Sequence, residues 1–197
     1  MRRLLLIGIM TINNYAWSDN YIWKGISLRM PNNRVEDLLI AALVPLLLYA
    51  LLHFTNKPKK YQNYLFYLVS VEYFILLFYF ALIDRKVIEN LAIHRDLFWG
   101  YQSLTENTIQ DNIINIIIFI PIGILLGFIS KKLLLMKSLL VGLFISESIE
   151  CSQLIFMRGN FDVDDLFNNT VGAVIGAVVF MFVSQLWTLL RKKFSLK

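Results

Sequence analysis

The sequence is poor in the residues that form cross-links or metal sites. It contains one cysteine, Cys151, and two histidines among 197 residues. A single cysteine excludes an intrachain disulfide and the paired-cysteine spacings of zinc and redox sites. Two histidines are also too few for a histidine-rich metal site. We therefore expect no disulfide-stabilised module, no bound metal and no cofactor.

Charged residues are scarce as well. They make up 17% of the chain, whereas 57% is apolar, and the mean hydropathy is +0.60. A soluble domain is usually about a quarter charged, so this composition excludes that class and indicates a membrane protein. The formal net charge of +5 relates to membrane topology in so apolar a chain, and we expect no nucleic-acid partner.

Five apolar segments have the length of a membrane-spanning helix, which is ~17 to 25 residues. Because backbone groups in lipid must be bonded within their own segment, continuous runs of this kind predict helices. The sequence thus predicts an all-α, polytopic membrane protein of about five transmembrane helices. Residues 1–60 form an N-terminal tail and a first, less regular crossing, and residues 61–197 form the main transmembrane domain. The five segments are residues 38–54, 64–83, 113–129, 138–156 and 166–190.

Basic residues predict the orientation, because lysine and arginine are retained on the cytoplasmic side. Three regions carry them without any acid: Lys57, Lys59 and Lys60; Lys131, Lys132 and Lys137; Arg191, Lys192, Lys193 and Lys197. These regions, including the C-terminus, are predicted to be cytoplasmic. The acid-rich connections 84–111 and 157–165 then face outward, and the apolar residues of 84–111 predict that this connection lies on the membrane or caps the bundle.

The N-terminal tail fits this orientation least well, because it is basic and would lie outside. Three explanations stay open. Segment 38–54 does not cross the whole membrane, residues 4–12 dip into the membrane, or the downstream basic residues determine the orientation despite those of the tail. The start of the chain lacks a small-residue cleavage site, and we expect it to remain in the mature protein.

The fourth segment carries polar residues at membrane depth. Ser146, Glu150 and Gln153 share one stripe at helical spacing, with Glu147 on an adjoining face. An ionisable group at such a position costs roughly 2.5 to 3.5 kcal/mol on insertion scales, so it requires an explanation. The stripe either forms hydrogen bonds between helices or belongs to a ligand site.

The connection after this helix adds one guanidinium and three carboxylates: Arg158, Asp162, Asp164 and Asp165. Such charges are often only solvated, and aspartates at a helix start often act as caps. However, Asn169 continues the polar pattern into the fifth segment. We therefore predict a polar groove that opens outward among the third, fourth and fifth helices.

Small residues and amides on the third and fifth segments predict close helix packing. Glycines recur at a spacing of four in both, at Gly123 and Gly127 and at Gly172 and Gly176. The third segment also has Asn115 near its start and Pro121 within it, which suggests hydrogen-bond partners across the bundle.

Together these residues resemble the VanZ-like family. The resemblance rests on three groups of residues. They are the run from Asn115 through Pro121 to Gly123; Glu150-Cys151-Ser152-Gln153; and Arg158 with Asp162-Val163-Asp164-Asp165 and Asn169-Thr170-Val171-Gly172. It covers about residues 111–179. The segment before the third helix departs from the family, with Phe98-Trp99-Gly100-Tyr101 in place of an Asn-Leu-x-Pro-Phe type of loop. By this resemblance, the polar signature falls on Asn115, Glu150, Gln153, Arg158, Asp162, Asp165 and Asn169.

The resemblance implies a role in the bacterial cell envelope, because the name-giving member confers low-level resistance to the glycopeptide antibiotic teicoplanin. It implies a multi-pass protein of the cell membrane and no particular reaction or catalytic residue. We expect membrane lipids as partners, together with a lipid-linked cell-wall precursor or a glycopeptide. Arg158 would then recognise a phosphate or carboxylate.

Two other functions stay open. An enzyme acting on a phospholipid or polyprenyl-phosphate head group would use Glu150, Asp162 and Asp165 as base or metal ligands, and their clustering within reach of one ion would favour it. A transporter or channel would use Glu72, Glu147 and Glu150 as a carboxylate path. The absence of inverted repeats argues against a standard secondary transporter.

Overall fold

The fold is seen in a computed structural model that describes residues 33–53, 58–83, 85, 87, 88, 91–99, 101, 102 and 106–195. The predictions for residues 1–32, including the retained start and the dipping segment 4–12, lie outside the described residues.

The described residues form five helices, and each contains most of one predicted segment. This confirms the predicted all-α class. A five-residue π-helical segment, Tyr79–Ile83, continues the second helix. The helices are α1 (Asn33–His53), α2 (Lys59–Phe78), α3 (Glu106–Ile129), α4 (Leu134–Ile155) and α5 (Val163–Ser195).

Among the residues that the structure describes, three stretches of helix are long and apolar enough to cross a membrane: Lys59–Ile83, Thr108–Ile129 and Val163–Lys193. The apolar part of α1 is shorter, Leu43–His53. Large apolar side chains are exposed along the sides of all five helices, such as Phe144 at 70% and Phe182 at 66% exposure. Such a surface suits lipid contact, whereas the count of five crossings stays a prediction.

α3 and α5 form the most extensive helix pair, and their contact is made through backbone. A Cβ atom added at Gly172 or Gly176 would overlap the carbonyl oxygens of Ile116 and Ile120, respectively. One added at Gly123 would overlap the backbone of α5. The glycine spacing therefore serves the close approach that the sequence predicted.

Pro121 lies inside α3 without ending it. Proline has no N–H group, so one hydrogen bond of the helix is missing at this turn. The hydroxyl of Tyr73, on α2, donates to the Ile118 carbonyl oxygen at 2.7 Å in the same turn. This bond joins α2 to α3 beside the turn that contains the proline.

A short parallel pairing, which the sequence did not predict, closes one end of the bundle. Residues Ile93–His94 (β1) pair with Phe161–Asp162 (β2). The Asn160 side chain accepts a hydrogen bond from the Ala92 amide at 2.9 Å. The connection between α2 and α3 therefore lies across the turn between α4 and α5. We call the end of the bundle at this turn, residues 156–165, the hinge end.

Gly176→Ala is expected to lower the stability of the purified protein. The new methyl group can be accommodated only if the α3 backbone moves, and overpacking of this kind costs about 1 to 3 kcal/mol. Thermal unfolding in detergent checks this, with Val178→Ala as control because Val178 is 52% exposed on the same helix. Equal midpoints for both variants would contradict the backbone contact.

Candidate functional site

The hinge end is built by a tight turn between two helices. α4 ends at Ile155, and Met157 adopts a left-handed conformation with φ of 54°. Asp162 then caps α5, because its carboxylate accepts a hydrogen bond from the Asp164 amide at 2.8 Å. Gly159 is buried in the turn, where an added Cβ would lie 2.8 Å from Gln153 Oε1. A side chain at this position would therefore disturb the polar contacts beneath it.

Three helices bring polar side chains together below this turn. Glu150 on α4 is 2% exposed, and its Oε2 accepts a hydrogen bond from the Asp162 amide at 3.1 Å. Asn115 on α3 donates to Asp165 Oδ1 on α5 at 2.6 Å. These two bonds place both carboxylates in one region at the hinge end.

The basic residue whose charge influences these carboxylates is Arg85, which the sequence analysis did not single out. Its charge acts on both Glu150 and Asp165, and its Nη1 donates to Gln153 Oε1 at 3.4 Å. Gln153 is 1% exposed and donates in turn to the Ala81 carbonyl oxygen at 3.1 Å. Gln153 thus satisfies a carbonyl in the final turn of the π-helical segment, where helix carbonyls otherwise lack partners.

Arg158 lies at the edge of this arrangement. Its guanidinium donates to the backbone oxygen of Arg85, and its amide donates to the Gln153 carbonyl oxygen at 2.7 Å. Arg158 therefore helps to hold the chain at Arg85, because both of these hydrogen bonds go to backbone oxygens. The sequence offered little to distinguish the two arginines, since Arg85 follows a helix in a long connection.

Asn169 lies one helical turn deeper than Asp165. Its Nδ2 donates to Ser146 Oγ at 2.8 Å, and both residues are buried. Its Oδ1 is buried without a hydrogen-bond partner in the part of the chain that the structure describes. This is a costly arrangement in a protein interior, so the atom suits a group that the structure does not contain.

A second set of hydrogen bonds supports the site from behind. Tyr101 donates through its hydroxyl to Asn168 Oδ1 at 2.7 Å, and Asn168 Nδ2 donates to Asn112 Oδ1 at 2.9 Å. Asp164 is 2% exposed and accepts a hydrogen bond from the Phe98 amide. These bonds fasten the α2–α3 connection to α5, and the sequence could not reveal them because they join distant parts of the chain.

Acidic groups outnumber basic ones here. Burial raises the pKa of Asp162 above its ordinary value, with a smaller contribution from the charge of Asp164. Among the described residues, no three aspartate, glutamate, histidine or cysteine side chains converge as ligands of one metal ion. The three-carboxylate clustering that would favour a metal-dependent enzyme is thus not seen within those residues. We call the following set the polar cluster: Arg85, Asn115, Glu150, Gln153, Asp162, Asp165 and Asn169.

Long apolar helices with a buried polar cluster at one end define a small helical membrane protein. Its sequence matches the model of the VanZ/LLP1 family over residues 38–184, and the chain belongs to this family. It is similar to Protein VanZ of Enterococcus faecium, with 37% identity over 67 residues, which are 34% of this chain and 42% of that protein. The match thus spans about two fifths of the length of that relative. No solved structure matches the chain.

Replacing Asp162 tests its role as the cap of α5. Asp162→Ala removes the acceptor for the Asp164 amide and is expected to lower the free energy of unfolding by about 1 kcal/mol. Asp162→Asn keeps an acceptor oxygen and removes a charge that burial disfavours, so it should unfold close to the unmodified protein. Thermal unfolding of both variants in detergent checks this. An alanine variant as stable as the asparagine variant would exclude the capping role.

Proposed function

We propose that this protein acts in the bacterial cell envelope as a VanZ-type protein that confers low-level resistance to teicoplanin. In this proposal the polar cluster binds a lipid-linked precursor or an amphiphilic antibiotic at the outer membrane surface. The observation that carries the proposal is the convergence of Asn115, Glu150 and Asp165 from three helices. All three positions lie within the region that matches the family.

A purely structural network is the competing explanation for these residues. Such networks normally give each buried polar atom a partner, as Gln153 and Asn168 have here. The unpartnered Oδ1 of Asn169 departs from this pattern at the base of the cluster. This supports a ligand-binding role, because a bound group can supply the missing hydrogen bond.

The distribution of basic residues supports an outward-facing hinge end. Lys131, Lys132 and Lys137 surround the turn between α3 and α4, at the opposite end of α4 from the polar cluster. The positive-inside rule assigns this turn to the cytoplasm. In the proposed topology the protein crosses the membrane five times, with a cytoplasmic C-terminus.

Cysteine labelling in intact cells tests this orientation. In a Cys151→Ser background, Asp96→Cys should react with a membrane-impermeant maleimide, because Asp96 is exposed at the hinge end. Lys132→Cys should react only after the cells are permeabilised. The opposite pattern would place the polar cluster on the cytoplasmic side and contradict the proposed function.

Antibiotic susceptibility tests the function itself. We expect the unmodified chain to raise the minimal inhibitory concentration of teicoplanin in a sensitive Gram-positive host. Glu150→Gln and Asp165→Asn should return it to the level of the empty vector, because each removes a carboxylate from the cluster. Arg85→Ala should also return the inhibitory concentration to the level of the empty vector, because it removes the positive charge that interacts with Glu150 and Asp165.

Lys132→Ala is the control, since this exposed lysine lies at the other end of the bundle. It should keep full protection at equal protein abundance, and vancomycin serves as a second glycopeptide. If the unmodified chain gives no protection, or if all four variants protect equally, the proposed function is wrong.

A lipid-modifying enzyme is the second candidate, and the pair Glu150 and Asp165 with Arg85 is the observation in its favour. A carboxylate can act as a general base while a guanidinium holds a phosphate. Mass spectrometry of lipid extracts distinguishes the two functions. A lipid species that changes with the unmodified chain, and not with Glu150→Gln, would favour the enzyme.

A further inference from the structure

The polar cluster contains side-chain oxygens that the described residues leave without a hydrogen-bond donor. Glu150 accepts through Oε2 and Asp165 through Oδ1, and Asn169 donates through Nδ2. In the part of the chain that the structure describes, Asn169 Oδ1 is buried without a hydrogen-bond partner, and the hydrogen bonds to Glu150 and Asp165 use one carboxylate oxygen of each. Three oxygens are therefore left for donors from outside the chain.

These three oxygens belong to facing sides of α4 and α5. The bond from Asn169 to Ser146 joins the two helices one turn below the level of Glu150 and Asp165. Side chains on a helix lean toward its N-terminus, and the N-terminus of α5 is at the hinge end. Asn169 therefore lies one turn below Asp165 on the same helix, and its unpartnered oxygen is buried there.

The charged groups of the cluster favour the same kind of ligand as its hydrogen-bonding groups, namely a cation that carries N–H groups. Glu150, Asp162 and Asp165 are three carboxylates, and Arg85 is the cation that acts on Glu150 and Asp165. One N–H group of the Arg85 guanidinium donates to Gln153. An anionic ligand would meet three carboxyl groups and further acceptor oxygens, whereas a cation with N–H groups can donate to them.

We infer that the polar cluster binds the primary ammonium group of an amphiphile. A primary ammonium carries three N–H donors, as a lysine side chain does, which matches the three free oxygens. Exposed apolar side chains next to the cluster, Phe156 at 63% and Phe167 at 41% exposure, provide a surface for the apolar part. This inference rests on the proposed function, because it specifies the ligand chemistry of the same cluster.

Binding of three probes to the purified full-length protein tests this chemistry. Dodecylammonium has a positive charge and three N–H donors. Dodecyltrimethylammonium has the positive charge without N–H donors, and dodecyl phosphate has a negative charge and acceptor oxygens. We expect dodecylammonium to bind about tenfold more tightly than the trimethylated probe, as loss of charge-assisted hydrogen bonds implies. Dodecyl phosphate should bind most weakly. Equal binding of the two cations, or tighter binding of the phosphate, would overturn the inference.

Variants locate the binding on the polar cluster. Glu150→Gln and Asn169→Leu should each remove the preference for dodecylammonium, whereas Glu147→Gln should keep it because Glu147 is exposed on the same helix. A preference that survives both cluster variants would place the ammonium elsewhere and overturn the inference. If a variant fails to fold, the order in which the unmodified protein binds the three probes still tests whether it prefers a primary ammonium group.

Two further measurements distinguish the sources of the ammonium. Retention of phosphatidylethanolamine over phosphatidylcholine in native mass spectrometry would identify a lipid head group. Displacement of dodecylammonium by teicoplanin, and not by its N-acetylated form, would identify the antibiotic. Failure of both, together with no preference for dodecylammonium, would overturn the inference.

The susceptibility experiment separates the two proposals. Protection from teicoplanin without ammonium preference would overturn this inference and leave the proposed function in place. Ammonium preference without protection would support the ligand chemistry and contradict the resistance role.

Discussion

The backbone contact between α3 and α5 is the constraint on which the rest of the structure depends. At Gly123, Gly172 and Gly176 no side chain separates the two helices. Short polar groups can therefore meet across the pair, as the hydrogen bond between Asn115 and Asp165 shows. In lipid, where water does not satisfy such groups, each bond of this kind also fixes the helices relative to one another.

The positions of the five described helices could be predicted from the sequence, because each apolar segment is long enough by itself to indicate a membrane helix. The stripe with Glu150 and Gln153 could be predicted as well, since helical spacing is local. Arg85 could not, because it reaches the carboxylates only when the α2–α3 connection folds across the hinge end. The pairing of β1 with β2 could not be predicted either, because a strand of two residues has no periodic sequence pattern.

The structure also changes how the charged residues are interpreted. A sequence with an arginine beside three aspartates favours an anion-binding groove, with Arg158 as the recognising group. In the structure the guanidinium of Arg158 is bonded to the Arg85 backbone, and it is the charge of Arg85 that acts on Glu150 and Asp165. Glu150, Asp165 and Asn169 each leave one oxygen without a described donor, which is why we infer an ammonium ligand rather than a phosphate.

A double-mutant cycle on Asn115 and Asp165 tests most directly whether the α3–α5 contact builds the site. Asn115→Asp alone places two carboxylates together and should lower the unfolding midpoint in detergent. Combined with Asp165→Asn, the exchanged pair restores one carboxylate and one amide, and most of the lost stability should return. The expected coupling lies in the range of about 0.5 to 3 kcal/mol found for residues in contact. Additive effects of the two substitutions would show that these residues do not meet, and would contradict the site as described.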